Sequence, residues 1–133
     1  MYDGDTIRVI ANGEELKIRF ACIDAPEREQ PRGEAARSNL KEILDRSSQI
    51  YIHRQTVDRY GRVVAEVWAD IPEMDLVLVQ MLQAEDGFVF PYERYAEDCS
   101  QWSAVEMAGA EARSKSLGVW SDRPPEYPWD YRQ

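Results

Sequence analysis

The stretch that decides the fold is TIRVIANGEELKIRFACI, which covers residues 6–23. Apolar and polar residues alternate on both sides of an Asn12-Gly13 pair, the dipeptide most typical of a two-residue turn between antiparallel strands. Every second residue from Leu16 to Cys22 is apolar, so one side of this arm is expected to be buried and the other solvated. The stretch therefore predicts a β-hairpin.

The rest of the chain predicts a small α+β domain. Helical spacing predicts three helices. The first begins near Gly33, the second runs from near Pro72 to Leu82, and the third runs from about Cys99 to Leu117. Further strands are predicted at Gln49–Val57, Arg62–Trp68 and Gly87–Phe90. Because closure removes exposed sheet edges, we expect the strands to form a closed or nearly closed barrel with the helices outside. The domain is expected to span residues 1–120, followed by an extended tail, rich in proline and aromatic residues, at 121–133.

Charge and composition exclude several classes of protein. The 133 residues carry a formal net charge of −9, which argues against a protein that coats nucleic acid through bulk positive charge. The charge is uneven, because residues 1–62 hold 11 Lys+Arg and 11 Asp+Glu, whereas residues 63–133 hold 5 and 14. No run approaches the roughly 18 apolar residues of a membrane span. No charged and then apolar stretch opens the sequence, so we expect no leader segment within it.

Three short motifs combine carboxylates with arginines. They are DGDT at Asp3–Thr6, RFACIDAPE at Arg19–Glu27 and DRYGR at Asp58–Arg62. Each alone is typical of an ordinary turn or strand end. Together they supply the oxygen ligands that Ca²⁺ and Mg²⁺ prefer, a carboxylate that could activate water, and arginines that match a phosphate. Hydrolysis of a phosphodiester bond requires such a set.

In order and spacing, these motifs resemble those of the staphylococcal nuclease (thermonuclease) family. The segment Leu117–Trp120 and the Pro-Trp pair near the end are also similar, so the resemblance covers essentially the whole chain. It implies a five-stranded OB-fold barrel flanked by three α-helices. It also implies a Ca²⁺-dependent nuclease that cleaves DNA and RNA, both endo- and exonucleolytically, leaves 3′-phosphate ends and prefers unpaired regions.

The resemblance implies a ligand set for Ca²⁺. By matched position, Asp5 and Asp24 would be carboxylate ligands, and the backbone oxygen of Ala25 would be a third protein ligand. Ala25 stands where the type member has threonine, but a backbone carbonyl is the same in both. Asp3 would act from farther away, through a water molecule.

The resemblance also implies catalytic and substrate-binding residues. Glu27 would be the general base, and Arg19 and Arg62 would hold the scissile phosphate. Tyr60 would lie beside the nucleotide. Tyr92 belongs to an aromatic group that follows the last predicted strand, and this group either stacks on a base or forms part of the core.

Cys22 and Cys99 have two interpretations. In a domain of this family, the third helix would lie near the second strand, so the two residues could form a disulfide. The alternative is that both are small buried hydrophobic residues. A disulfide would suit a secreted or periplasmic protein, the location expected from the family, although a cytoplasmic protein is the other possibility.

Two functions other than a nuclease are consistent with a small barrel. A catalytically weak OB-fold module would bind nucleic acid or a protein, but such modules are recognised by loss of the carboxylates or arginines that this chain retains. An oligosaccharide-binding barrel would need an aromatic cleft without the metal-ligating set. We therefore expect DNA and RNA as partners, no membrane and no obligatory protein partner.

Overall fold

The structure is a computed structural model that describes residues 3–133, and it has a mixed sheet, a small second sheet and several helices. The strands are β1 (Thr6–Ala11), β2 (Glu14–Phe20), β3 (Ile23–Asp24), β4 (Gln49–Val57), β5 (Val63–Ile71), β6 (Asp75–Leu78) and β7 (Phe90–Pro91). The α-helices are α1 (Gly33–Arg46), α2 (Val79–Glu85), α3 (Trp102–Ser114) and the single turn α4 (Pro128–Tyr131). Two 3-10 helices cover Glu93–Asp98 and Gly118–Trp120.

The predicted hairpin is present as β1 and β2. The strands are antiparallel, with Thr6 opposite Arg19. Asn12 and Gly13 form the turn with φ angles of 53° and 78°, the left-handed pair that matches the twist of the flanking strands. The prediction of one solvated face is wrong at the end of β2, because Arg19 is buried there together with its neighbours on both sides.

Strand order brings distant parts of the sequence to one end of the sheet. The order is β1-β2-β5-β4, with β6 also paired to β5. β2 pairs with β5 in parallel, and Ile18 lies opposite Val63. The beginning of β1, the end of β2 and the beginning of β5 are therefore side by side. The three charged motifs lie at or next to this end.

The prediction of a closed barrel is wrong for residues 3–133. No strand pairing in this part of the chain joins β1 to β4. A groove of about 350 Å³ separates the two edges, and its lining includes Ile7 and Val9 on one side and Gln49 and Ile50 on the other. The observed architecture is an open mixed sheet with helices, and the OB-type fold stays a prediction from the resemblance.

The helices also differ from the predicted three. The second helix begins at Val79 rather than near Pro72, because Glu73 and Asp75 have positive φ angles and the chain turns into β6 instead of a helix. The third helix covers only Trp102–Ser114, and α4 and the two 3-10 helices are additional. Within residues 3–133, no helix is both long and apolar enough to cross a lipid bilayer.

The core is built around β5, which is buried on both faces. α2 covers one face, and the side-chain amide of Gln80, itself fully buried, accepts a hydrogen bond from Val67 N–H and donates to the carbonyls of Ala65 and Ala21. Since Ala21 lies just beyond the last β2–β5 pair, Gln80 satisfies backbone groups where the strand pairing stops. This bond also holds the chain that leads from Arg19 to Asp24.

α3 packs against β7 at Gly109, and this contact predicts how a larger side chain at Gly109 would change the free energy of unfolding. A Cβ built on Gly109 would lie 2.3 Å from Cγ of Pro91. In an exposed helix, Gly→Ala stabilises by about 1 kcal/mol. Here the clash reverses the sign, and Gly109→Ala is expected to lower the free energy of unfolding by about 1–3 kcal/mol, as overpacking does. Urea unfolding measures the change.

Met107→Ala is the control, because Met107 is 73% exposed on the same helix and its replacement should change stability by less than about 0.5 kcal/mol. A stabilised Gly109→Ala variant would show that α3 is not in contact with Pro91.

Candidate active site

A buried arginine is at the centre of the charged motifs. Nη1 of Arg19 donates hydrogen bonds to the carbonyl oxygens of Phe20 (2.6 Å) and Ile23 (3.0 Å). Nη2 lies 3.2 Å from Asp24 Oδ1 and 3.5 Å from Asp5 Oδ2. The guanidinium therefore brings the carboxylates of two separate motifs together.

The DGDT turn fixes Asp5 from several directions. Oδ2 of Asp5 accepts the backbone N–H of Ala25 at 2.8 Å, and Oδ1 accepts the hydroxyl of Thr6 at 3.0 Å. The backbone N–H of Asp5 donates to Asp3 Oδ1 at 3.0 Å. A Cβ on Gly4 would lie 2.8 Å from Cβ of Ala36 and 3.0 Å from Cβ of Ala25. Glycine thus lets this turn approach α1 closely.

The loop that follows Asp24 carries Glu27. The backbone N–H of Glu27 donates to Oε1 of Gln30 at 2.7 Å, and Gln30 N–H donates back to the Glu27 carbonyl at 2.9 Å. A Cβ on Gly33 would lie 2.1 Å from that carbonyl oxygen, so the start of α1 can approach the loop only as glycine. The Glu27 side chain is half-buried, with 27% of its surface exposed.

Burial and crowding perturb the aspartates. Burial raises the pKa of Asp3 to about 8, and the negative charge of Asp5 acts in the same direction. Burial acts to raise the pKa of Asp5 too, but Arg19 and the hydrogen bonds of Asp5 outweigh it and lower this pKa. Burial raises the pKa of Asp24 to about 6 despite the two guanidinium groups beside it. The cluster therefore holds more negative charge than its surroundings fully stabilise.

The DRYGR turn places an arginine and a tyrosine next to each other. Asp58 Oδ1 accepts the backbone N–H groups of Tyr60 (2.9 Å) and Arg62 (3.0 Å), and its Oδ2 accepts Arg62 Nε at 2.7 Å. Gly61 has a φ of 79°, which glycine adopts readily. Cζ of Arg62 lies 5.4 Å from the centre of the Tyr60 ring, which is 67% exposed.

Most of the predicted site residues line one cleft of about 590 Å³. Seven of them do so, namely Asp5, Arg19, Asp24, Glu27, Tyr60, Arg62 and Tyr92. Asp3 and Ala25 are not part of its wall, and both lie behind it against Asp5. The cleft also contains residues that the sequence analysis did not assign to the site, namely Asp58, Arg59, Arg94, Tyr95, Asp98 and Arg132.

Tyr92 belongs to an aromatic stack. Its ring lies parallel to Trp129 at 5.1 Å, and Trp129 is stacked on Tyr127 at 4.6 Å. Tyr95 meets Tyr92 edge-on at 5.2 Å, and Cζ of Arg19 lies 5.2 Å from the centre of the Tyr95 ring. The aromatic group thus packs against the tail and the buried arginine while one edge faces the cleft.

Sequence reasoning missed Arg132, which lies in the tail that was predicted to be extended. Its Nη2 is 2.7 Å from Asp24 Oδ2, and its Nη1 is 2.6 Å from Glu27 Oε1. No motif marks this residue. The one available signal was its charge, because Arg132 is among only five cationic residues in the acidic second half of the chain.

A disulfide joins Cys22 to Cys99 under the cleft, with 5.4 Å between the Cα atoms. It connects the loop before Asp24 to the segment before α3. Glu66, fully buried, lies within 4.8 Å of both sulfurs, and its carboxylate accepts the hydroxyl of Ser100 at 2.7 Å. Since both sulfurs are in the bridge, this group does not offer thiolate ligands.

The arrangement combines three chemical capacities. Asp5 and Asp24 offer buried carboxylate oxygens of the type that Ca²⁺ and Mg²⁺ prefer, and Glu27 offers a half-buried carboxylate that can accept a proton. Arg62, 28% exposed, can donate to an anion in the cleft. The site can therefore attract a cation and an anion to adjacent positions.

The sequence is similar to those of several known proteins. A family model described as staphylococcal nuclease homologue matches residues 17–122. A micrococcal nuclease of Shigella flexneri is 33% identical over 136 residues, covering 98% of this chain and 76% of that protein. An uncharacterized endonuclease of Escherichia coli is 32% identical over 130 residues, covering 98% and 79%. A probable staphylococcal-like nuclease of Oryza sativa subsp. japonica is 31% identical over 131 residues, covering 92% of this chain and 36% of that protein.

The disulfide generates a prediction about stability. The bridge closes a loop of 77 residues in sequence, so replacing Cys22 and Cys99 together by alanine is expected to lower the free energy of unfolding by about 2–4 kcal/mol. Urea unfolding with and without reductant measures the change. Reductant should bring the wild type close to the double variant and leave that variant unaffected. Equal stability of the two proteins without reductant would contradict a structural role of the bridge.

Proposed function

Because the chain belongs to the family of staphylococcal nuclease homologues, we propose that it is a Ca²⁺-dependent nuclease that hydrolyses phosphodiester bonds of DNA and RNA. The observation that carries the proposal is the pair of buried carboxylates, Asp5 and Asp24, held against Arg19 at the wall of a cleft that also contains Glu27 and Arg62.

The donor set fits a hard divalent cation. Asp5 and Asp24 would hold Ca²⁺ through carboxylate oxygens, and the backbone oxygen of Ala25 would be the third protein ligand. Asp3, which accepts the backbone N–H of Asp5, would act through water. All of these are oxygen donors, as Ca²⁺ requires. When bound, Ca²⁺ supplies positive charge that polarises the phosphate.

The side chains divide the remaining chemistry among them. Glu27 accepts a proton from the attacking water, whose oxygen forms a bond to phosphorus while the bond to the 5′ oxygen breaks. The 5′ oxygen takes up a proton from solvent and leaves as a 5′-hydroxyl, and the other product carries a 3′-phosphate end. Arg19 and Arg62 stabilise the negative charge that develops on the phosphate oxygens. Neither arginine needs to exchange a proton, since guanidinium stays charged in proteins.

The cleft suits a single strand of nucleic acid. Tyr60 is more exposed than Tyr92, and we assign its ring to stacking on a base, because ring faces stack on bases without regard to sequence. Tyr92, whose ring is stacked on Trp129, is assigned to a contact with the nucleotide through its edge. Unpaired regions should be preferred, since their bases are free to stack. The charge of −9 predicts weak long-range attraction for nucleic acid and a strong response of activity to salt and divalent ions.

The proposal extends to location and partners. DNA and RNA are the proposed partners, and the chemistry requires no protein partner. A secreted or periplasmic location suits the disulfide between Cys22 and Cys99, because such bridges persist in oxidising compartments.

The test is degradation of single-stranded DNA and of RNA at low salt, with Ca²⁺ or with chelator, by the wild type and by Glu27→Gln. We expect cleavage that needs Ca²⁺ and falls by about a hundredfold or more in the variant, as for loss of a general base. Glu29→Gln is the matched control, because Glu29 is an exposed carboxylate in the same loop and should leave activity unchanged.

Two results would contradict the proposal. Equal activity of Glu27→Gln and the wild type would remove Glu27 as the base. A folded wild type that cleaves nothing with Ca²⁺, Mg²⁺ or Mn²⁺ but retains uncut single-stranded DNA would favour the binding module instead.

A further inference from the structure

The C-terminal tail, residues 121–133, lies against the cleft because contacts between aromatic rings hold it there. The Trp129 ring is stacked between the rings of Tyr92 and Tyr127, with interplanar angles of 11° and 15°. The centres of the Phe90 and Tyr127 rings are 4.9 Å apart. Such ring pairs stabilise beyond the area they bury. Pro128 is buried at the start of α4, where proline is pre-organised for a helix.

The one-turn helix sets the direction of Arg132. The backbone N–H of Arg132 donates to the Pro128 carbonyl at 3.0 Å. Arg132 therefore directly follows the helical turn that the aromatic rings hold in place. Both nitrogens at the tip of its guanidinium contact carboxylates, with Nη2 on Asp24 and Nη1 on both Asp24 (3.2 Å) and Glu27. A guanidinium that bridges two carboxylates is better fixed than an isolated surface ion pair.

Two further contacts tie the same tail to the loop that carries Glu27. Arg32, at the end of this loop, forms an ion pair with Asp122 at 2.9 Å. Nε2 of Gln30 donates to the backbone carbonyl of Glu126 at 3.2 Å and to its side chain at 3.3 Å. Gln30 also contacts Glu27, because Oε1 of Gln30 accepts the backbone N–H of Glu27. The tail therefore holds Glu27 through its backbone and its side chain.

We propose that Arg132 is a positioning residue for Glu27, fixing its carboxylate beside Asp24 at the edge of the cleft. The inference rests on the proposed function, in which Glu27 is the general base. Without Arg132, the carboxylates of Glu27 and Asp24 repel each other, and Glu27 is free to turn toward solvent. The positive charge of Arg132 also opposes a divalent cation at Asp24.

Arg132→Gln separates this role from a structural one. We expect kcat to fall by roughly 10- to 100-fold, the loss that a misplaced catalytic group produces. KM should change by less than about threefold, because the guanidinium nitrogens of Arg132 are engaged by Asp24 and Glu27 rather than free for the substrate. Ca²⁺ affinity, measured by calorimetry without substrate, should rise severalfold since a nearby cation is removed. The urea midpoint should stay close to that of the wild type.

Two variants serve as controls. Arg123→Gln removes the same charge from the same tail, where Arg123 contacts Ser116, and should change neither kcat nor Ca²⁺ affinity. Arg132→Lys keeps the charge but cannot bridge both carboxylates as a planar fork does. It should keep the Ca²⁺ affinity of the wild type and recover only part of kcat.

A double-mutant cycle gives the decisive comparison. In the Glu27→Gln background, Arg132→Gln should lower kcat by less than about twofold, because residues that act as a unit are non-additive. A full further loss in that background, a rise in KM alone, or a fall in both stability and Ca²⁺ affinity would overturn the proposal. An inactive wild type would contradict the nuclease itself, which is a different result from an active wild type unaffected by Arg132→Gln.

Discussion

The buried guanidinium of Arg19 is the interaction on which the rest of the site depends. A charge taken out of water is costly unless every donor and the charge itself are compensated. Here two carbonyls and two carboxylates provide that compensation. The chain must therefore wrap around the guanidinium, and Cys22 adopts a φ of 75° to do so, a conformation that non-glycine residues rarely take. The same wrapping brings Asp24 to Asp5.

Sheet topology and cross-links hold this arrangement in place. Parallel pairing of β2 with β5 puts the DRYGR turn beside Arg19, and Gln80 and the disulfide fix the backbone between Arg19 and Asp24 from two sides. The carboxylates are rigid as a result, whereas Glu27 lies on a loop. The proposed function requires a stable cation-binding pair and a correctly directed base, and we propose that the tail supplies the separate support that the loop needs.

The sequence alone predicts the parts of the fold that local patterns determine. The Asn12-Gly13 hairpin is confirmed, as are the helix that begins at Gly33 and the strand Gln49–Val57. Local sequence patterns do not specify which strands pair with each other. The open edge between β1 and β4 and the additional strand β6 were therefore not predicted.

Long-range contacts explain what sequence reasoning missed in the site. The motifs contain eight of the thirteen residues that line the cleft, because carboxylates and arginines at strand ends are visible in the sequence. Gln80 belongs to a residue type that is mostly exposed in proteins, yet it is fully buried where strand pairing stops. Arg132 reaches Asp24 across 108 residues and depends on a stack of rings from two segments. No local sequence pattern predicts a contact between residues so far apart in the chain.

Calorimetric titration with Ca²⁺ tests most directly whether Asp5 and Asp24, which Arg19 holds together, form a site for a divalent cation. Wild type and Asp24→Asn would be compared, with Asp45→Asn as a control at an exposed carboxylate of α1 and circular dichroism to verify folding. We predict one ion per chain for the wild type and an affinity lower by about 10- to 100-fold for Asp24→Asn, since ligand charge sets Ca²⁺ affinity. Equal affinities of a folded Asp24→Asn and the wild type would contradict the account.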